Sequence, residues 1–266
     1  MIELLALDLD GTLIDEHMTL SDRVRQAVTH VQERGVTVTL ATGRMLEATL
    51  PFALELGIDA PLICYQGALV QAPQAEKPLH RSRMEEEIVR NALTWGIERG
   101  WHAVLYANNA LFIAEKRHPE SYYRDLLGAN IHWVDDLMQV LDHHKPVKFL
   151  FVADSAEADE IEAAMRQRFG GRMEIVRSHQ SFVEGNPLGV SKGRALQLLA
   201  EHLDVPRERV MAVGDQGNDV SMLAWAGVGV AMGNGSPSAK AAADWIAPPF
   251  SEDGAAVAIQ RFILTS

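Results

Sequence analysis

LLALDLDGT, residues 4–12, is the stretch that decides the fold. Residues 4–9 are almost unbroken in apolar character, as a strand buried on both faces requires. The run ends in two carboxylates two residues apart, Asp8 and Asp10, and Gly11 then permits a sharp turn. Val24, Ala27, Val28 and Val31 follow at helical spacing, with Ser21 as the predicted cap and Gly35 as the stop. Residues 36–41 predict a second strand, residues 45–56 a helix kinked or started at Pro51, and residues 61–65 a third strand. Strands alternating with helices imply a parallel sheet.

The same pattern returns late in the chain. It predicts a helix over 192–202, a strand over 209–213, a helix over 220–225, a strand over 228–231 and a closing helix over 253–264. Between these halves the sequence is more polar and less regular. Helices are predicted there over 85–99 and 157–169, and strands over 103–106, 111–114, 147–153 and 173–177. The expected class is therefore α/β, a doubly wound parallel sheet formed by residues 1–82 and 188–266, interrupted by an α+β unit over 83–187.

The 266 residues, 47% hydrophobic and 23% charged, are ordinary globular material with room for two domains. A net charge of −12 repels polyanions over long range, which argues against nucleic acid or an anionic membrane as the main partner. No apolar run reaches the roughly 18 residues of a membrane span. The single cysteine, Cys64, excludes an internal disulfide, and no basic segment opens the chain, so a cytoplasmic location is expected. A monomer or homodimer is expected.

Ligands of a doubly wound sheet bind at the carboxyl ends of its strands, so polar residues directly after apolar runs carry the chemistry. Asp8 and Asp10 are the first such pair. Close carboxylates partly removed from water need a compensating cation, and oxygen-only ligands favour magnesium. The second place is ATGR, residues 41–44, where Thr42 and the backbone N–H groups of Gly43 and Arg44 can face an anion; alone the motif is short. The third is VSKG, residues 190–193. Ser191 caps a helix and Lys192 stands in its first turn, an unfavourable place for a cation unless an anion faces it. The fourth is GDQGND, residues 214–219, where Asp215 follows its strand as Asp8 does and Asn218 and Asp219 lie on the next turn.

Together these segments supply a carboxylate nucleophile, acids for a metal, a hydroxyl and backbone donors for phosphate, and a lysine. The expected chemistry is phosphoryl transfer, with Asp8 attacking phosphorus and Asp10 moving protons to the leaving oxygen and from the water. A phosphoacceptor signalling module shares this inventory, but the inserted unit exceeds its needs. A phosphomutase or other phosphotransferase differs only in the acceptor.

DLDGT, TGR, the lysine of SKG and GDxxND, in that order, resemble the haloacid dehalogenase superfamily of phosphatases. GVSKGRAL, GVAMGNG and EDGAA look like its Cof-like branch, type IIB. The resemblance covers nearly the whole chain. It implies a Rossmann-like core with an α/β cap, and Mg2+ held by Asp8, the Asp10 carbonyl and Asp215, with Asp219 supporting the ion's water shell. Thr42 and Lys192 would bind phosphate, Gly43 and Arg44 lie beside that threonine, and Asn218 is similar to a residue that contacts phosphate or orients the lysine. The substrate would be a small phosphorylated metabolite. Gln66-Gly67 departs from the usual Asn-Gly, which puts the contacts of that loop in question. Gly235 replaces a more usual alanine and is expected to affect only a helix start. Glu184, Asn186 and His179, near the return to the core, are expected to be exposed polar residues.

Overall fold

The computed structural model describes residues 1–15, 17–127 and 131–265. They form two compact units, one of Met1–Gly43, Thr49–His80 and Ser191–Ser266, the other of Arg44–Ala48 and Arg81–Val190.

The first unit is built on a five-stranded parallel sheet in the order Trp245–Ile246, Val228–Ala231, Val210–Gly214, Leu4–Leu7, Thr37–Leu40. Leu4 and Ala6 pack with Val210, Ala212 and the Ala195, Leu196 and Leu199 side chains of the helix Lys192–His202. Leu5 and Leu7 alternate to the opposite side, and all four residues of that strand are buried. The helix Asp22–Glu33 packs against Thr37–Leu40 and against Gly254–Ile259. Its Ser21 cap forms as expected, the hydroxyl accepting from Val24 N–H at 3.1 Å. Register places Leu7 opposite Val213 and Leu40, so the chain leaves all three strands at one edge, just before Asp8, Asp215 and Thr42. The sheet is thus the expected doubly wound one.

Several elements differ from expectation. The closing helix is regular only over Gly254–Ile259 and widens to a π turn over Gln260–Leu264. The third strand, Leu62–Cys64, belongs to a small antiparallel sheet with Leu69–Gln71 and His80–Arg81, joined to the main sheet through an Ala41–Ile63 bridge. Pro51 lies inside the helix Leu46–Glu55 and does not start it.

The second unit carries a six-stranded sheet in the order Glu174–His179, Phe182–Asn186, Pro146–Val152, His102–Ala107, Ala110–Ile113, Ile131–Trp133, antiparallel except for the last pair. Leu93, Leu105, Phe149, Phe151, Ile161, Met165 and Val183 make its core with the helices Glu86–Ile97, Leu137–His143 and Ser155–Phe169. The strand Phe182–Asn186 escapes sequence pattern because Glu184, Gly185 and Asn186 are poor strand formers. Glu184 and Asn186, expected to be exposed, are buried. Lys148 Nζ lies 3.1 Å from Glu184 Oε1, and Ser178 Oγ donates to the same oxygen at 2.5 Å. A buried carboxylate is tolerable only with such partners. His179 is exposed, as expected. Among the described residues, no helix is long and apolar enough to cross a membrane.

Candidate active site

Asp8 follows the strand Leu4–Leu7, its N–H tied to Val213 O at 2.9 Å, so its position is fixed by the neighbouring strand. Asp215 follows Val210–Gly214 at the same sheet edge. One oxygen from each of Asp8, Asp215 and Asp219 falls within 4.8 Å of the others, and all three residues are buried. Lys192 Nζ bridges two of them, at 2.6 Å from both Asp8 Oδ1 and Asp219 Oδ1. The anion that the helix start demanded is this carboxylate pair.

Each acid has distinct support. Asp219 Oδ2 accepts the N–H groups of Asp215 and Gln216 at 2.8 and 2.9 Å, so Asp219 spends one oxygen on the lysine and the other on shaping its own loop. Asp215 accepts from Thr12 Oγ1 at 3.3 Å and Gln216 Nε2 at 2.9 Å. Gly11, at φ +81°, has no Cβ where one would come within 2.5 Å of Asp215 Oδ2. Neither Thr12 nor Gln216 is legible as a site residue from sequence, because their roles depend on a partner some two hundred residues away or on a local turn.

Three buried carboxylates meet one ammonium, and the excess negative charge appears in the proton affinities. Burial, then the Asp219 charge, hold the Asp8 carboxyl well above the usual carboxylate range despite Lys192. Burial and Asp219 push Asp215 up to about 6. Burial works to lower the Lys192 pKa, but Asp219 and Asp8 outweigh it and raise the value. An excess of buried acids with oxygen-only donors fits a divalent hard cation.

The other predicted residues are distributed around this cluster. Thr42 is buried at the end of the second strand, its N–H donating to Ile63 O at 2.8 Å. Asn218 Nδ2 donates to Gln66 Oε1 at 3.1 Å, so the glutamine that departs from the usual loop has a defined contact. Asp10 is exposed and does not join the three-carboxylate group. Arg44 falls in the second unit. Gly235 corrects an expectation. A Cβ there would lie 2.8 Å from Asp215 O, and Ser236 N–H donates to that same carbonyl at 2.7 Å, so the position braces the Asp215 main chain as well as opening a helix. Cys64 is buried, its Sγ donating to Thr49 Oγ1 at 3.7 Å.

The family model for haloacid dehalogenase-like hydrolases matches residues 5–259. Over 268 residues the chain is 29% identical to the 5-amino-6-(5-phospho-D-ribitylamino)uracil phosphatase YcsE of Bacillus subtilis, covering 99% of this chain and 96% of that one. A crystal structure of a haloacid dehalogenase-like hydrolase from Bacteroides thetaiotaomicron superposes with a TM-score of 0.86 at 29% identity, covering 99% of this chain and all of the other. The fold is also that of a structure described as a subclass IIB sugar phosphatase, at a TM-score of 0.82, 22% identity and 98% coverage of both chains. With the matched segment running from the first strand to the last helix, and the acids and lysine of its motifs gathered at one sheet edge, the chain is an enzyme of the haloacid dehalogenase-like hydrolase family.

Proposed function

We propose that the protein is a phosphatase that hydrolyses monoesters of small phosphorylated metabolites through an aspartyl phosphate on Asp8. One observation carries the reading: Lys192 held by both Asp8 and Asp219 inside a buried cluster of three acids. A lysine so placed keeps Asp8 oriented, and offers positive charge to a phosphoryl group approaching it.

In the first half-reaction an Asp8 oxygen forms a bond to phosphorus as the ester P–O bond breaks, and Asp10 gives its proton to the leaving oxygen. In the second, water attacks phosphorus, Asp10 takes the water's proton, and inorganic phosphate leaves with Asp8 restored. The exposure of Asp10 suits a group that must meet a leaving group and then water. Thr42, Gly43, Arg44, Lys192 and Asn218 bind the phosphoryl oxygens in this reading. Asp8, the Asp10 carbonyl and Asp215 would hold Mg2+, with Asp219 supporting its water shell. When bound, the ion neutralises charge on the phosphoryl group.

Residues 1–82 and 188–266 are assigned as the catalytic core, and 83–187 as the cap that sets specificity. We assign a cytoplasmic location and a monomer or homodimer. The name of the ribitylaminouracil phosphatase and that of the subclass IIB sugar phosphatase support a phosphorylated polyol or sugar, or a related cofactor precursor, as substrate. The test is phosphate release from a panel of such esters with and without Mg2+, comparing wild type with Asp8→Asn. Loss of turnover in the variant is expected. Equal turnover would overturn the mechanism, stable labelling without turnover would indicate signalling, and an isomerised sugar phosphate would indicate a mutase.

A further inference from the structure

The turn after Leu62–Cys64 is strained. Tyr65 and Gln66 sit at φ +50° and +58°, where side-chain-bearing residues cost energy, and neither is glycine. The Gln66 side chain is nevertheless buried, at 2% exposure. Its surroundings explain what the strain secures. Gln66 N–H donates to Thr42 O at 3.1 Å. Its Nε2 occupies the space beside Gly43, where a Cβ would come within 2.4 Å of it. Its Oε1 accepts from Asn218 Nδ2 at 3.1 Å, one residue before the Asp219 that holds Lys192. Asn218 Oδ1 is buried with no hydrogen-bond partner, so the amide is left with one fixed end and one acceptor open to a donor.

We propose that Gln66 is a positioning residue that locks the 42–43 loop to the 215–219 loop, so that both halves of the phosphate cradle are preformed before a ligand arrives. This rests on the functional reading above. Its geometry is independent of that reading, since one residue reaches two loops that the sheet alone does not tie together. A shorter or apolar side chain would leave Asn218 Nδ2 without its acceptor and open a void against Gly43, so the cradle would have to be ordered at the moment of binding.

Glycine at 66 separates the backbone from the side chain. It accepts positive φ without strain, which offsets part of the cost of the void and of the unpaired Asn218 Nδ2, so Gln66→Gly should lower the thermal midpoint only modestly while removing the lock. The measurement is calorimetric binding of inorganic phosphate to the Mg2+-loaded protein, for wild type, Gln66→Gly, Asn218→Ala and the double variant. Gln66→Gly is expected to bind about tenfold more weakly, as for loss of roughly one hydrogen bond's worth of preorganisation. The double variant should be no weaker than Asn218→Ala, because Gln66 acts through Asn218. Unchanged affinity or additive losses would each overturn the proposal. A wild type that binds phosphate with this pattern but hydrolyses no ester would sink the functional reading alone. A wild type that hydrolyses esters with Gln66→Gly unimpaired would sink this inference alone, and one that neither binds phosphate nor hydrolyses esters would sink both.

Discussion

Thr12 Oγ1 donates to Asp215 Oδ1 at 3.3 Å across 203 positions of sequence, tying the turn after the first strand to the acid after Val210–Gly214. Thr12→Val keeps the volume and removes the donor, leaving Asp215 held through Oδ2 by Gln216 Nε2. Supporting hydrogen bonds of this kind typically account for about 10- to 100-fold in metal affinity. The Mg2+ concentration for half-maximal phosphate release should rise within that range, with little change in thermal midpoint.

Lys192→Met should be costly to fold and to function. It leaves Asp8 and Asp219 buried without their shared cation, and breaking such pairs typically destabilises by about 3–5 kcal/mol. Thermal denaturation should show the drop, and excess Mg2+ should restore part of it. Phosphate release should not return with stability, since a bound ion does not replace the ammonium that spans Asp8 and Asp219.

Metal binding should compete with protons. Asp215 shifts from 3.8 to about 6 without metal, and Asp8 is raised as well, so the folded metal-free site holds protons that the unfolded chain would release. That contribution to stability is present at low pH and is lost as pH rises through the folded value near 6. Added Mg2+ should therefore raise the thermal midpoint more at pH 7.5 than at pH 5. An increment independent of pH would count against these acids as the ligands.

His102 gives the opposite pH dependence in the second unit. Tyr123 Oη accepts the N–H groups of Arg117 and His118 at 3.2 and 3.1 Å, so its own hydrogen points to His102 Nε2, 2.7 Å away. Burial, aided by the Arg117 charge, lowers the His102 pKa from 6.5 to about 4. Stability is full above 6.5 and is lost as pH falls toward 4, because the unfolded histidine takes up the proton first. His102→Gln can still accept from Tyr123 but cannot charge. Its thermal midpoint should fall less than that of wild type between pH 7 and pH 5.

The acids and the lysine were legible because each follows an apolar strand or opens a helix, where a parallel sheet exposes its functional edge. Gln66 and Gly235 could be seen only as departures, since what they touch is fixed by chain segments distant in sequence. Glu184 reads as a surface residue until Lys148 and Ser178 are found beside it. The short helix Leu137–His143 and the strand Leu69–Gln71 offer too few residues for a period to emerge.

The pairing of Leu4–Leu7 with Val210–Gly214 also governs when the enzyme can come into being during translation. The earliest strand to leave the ribosome waits for a neighbour synthesised some two hundred residues later, while the intervening segment closes its own sheet from nearby pieces. Premature termination before Val210 therefore yields a polypeptide without Asp215 and Asp219, with one edge of Leu4–Leu7 left bare and aggregation-prone.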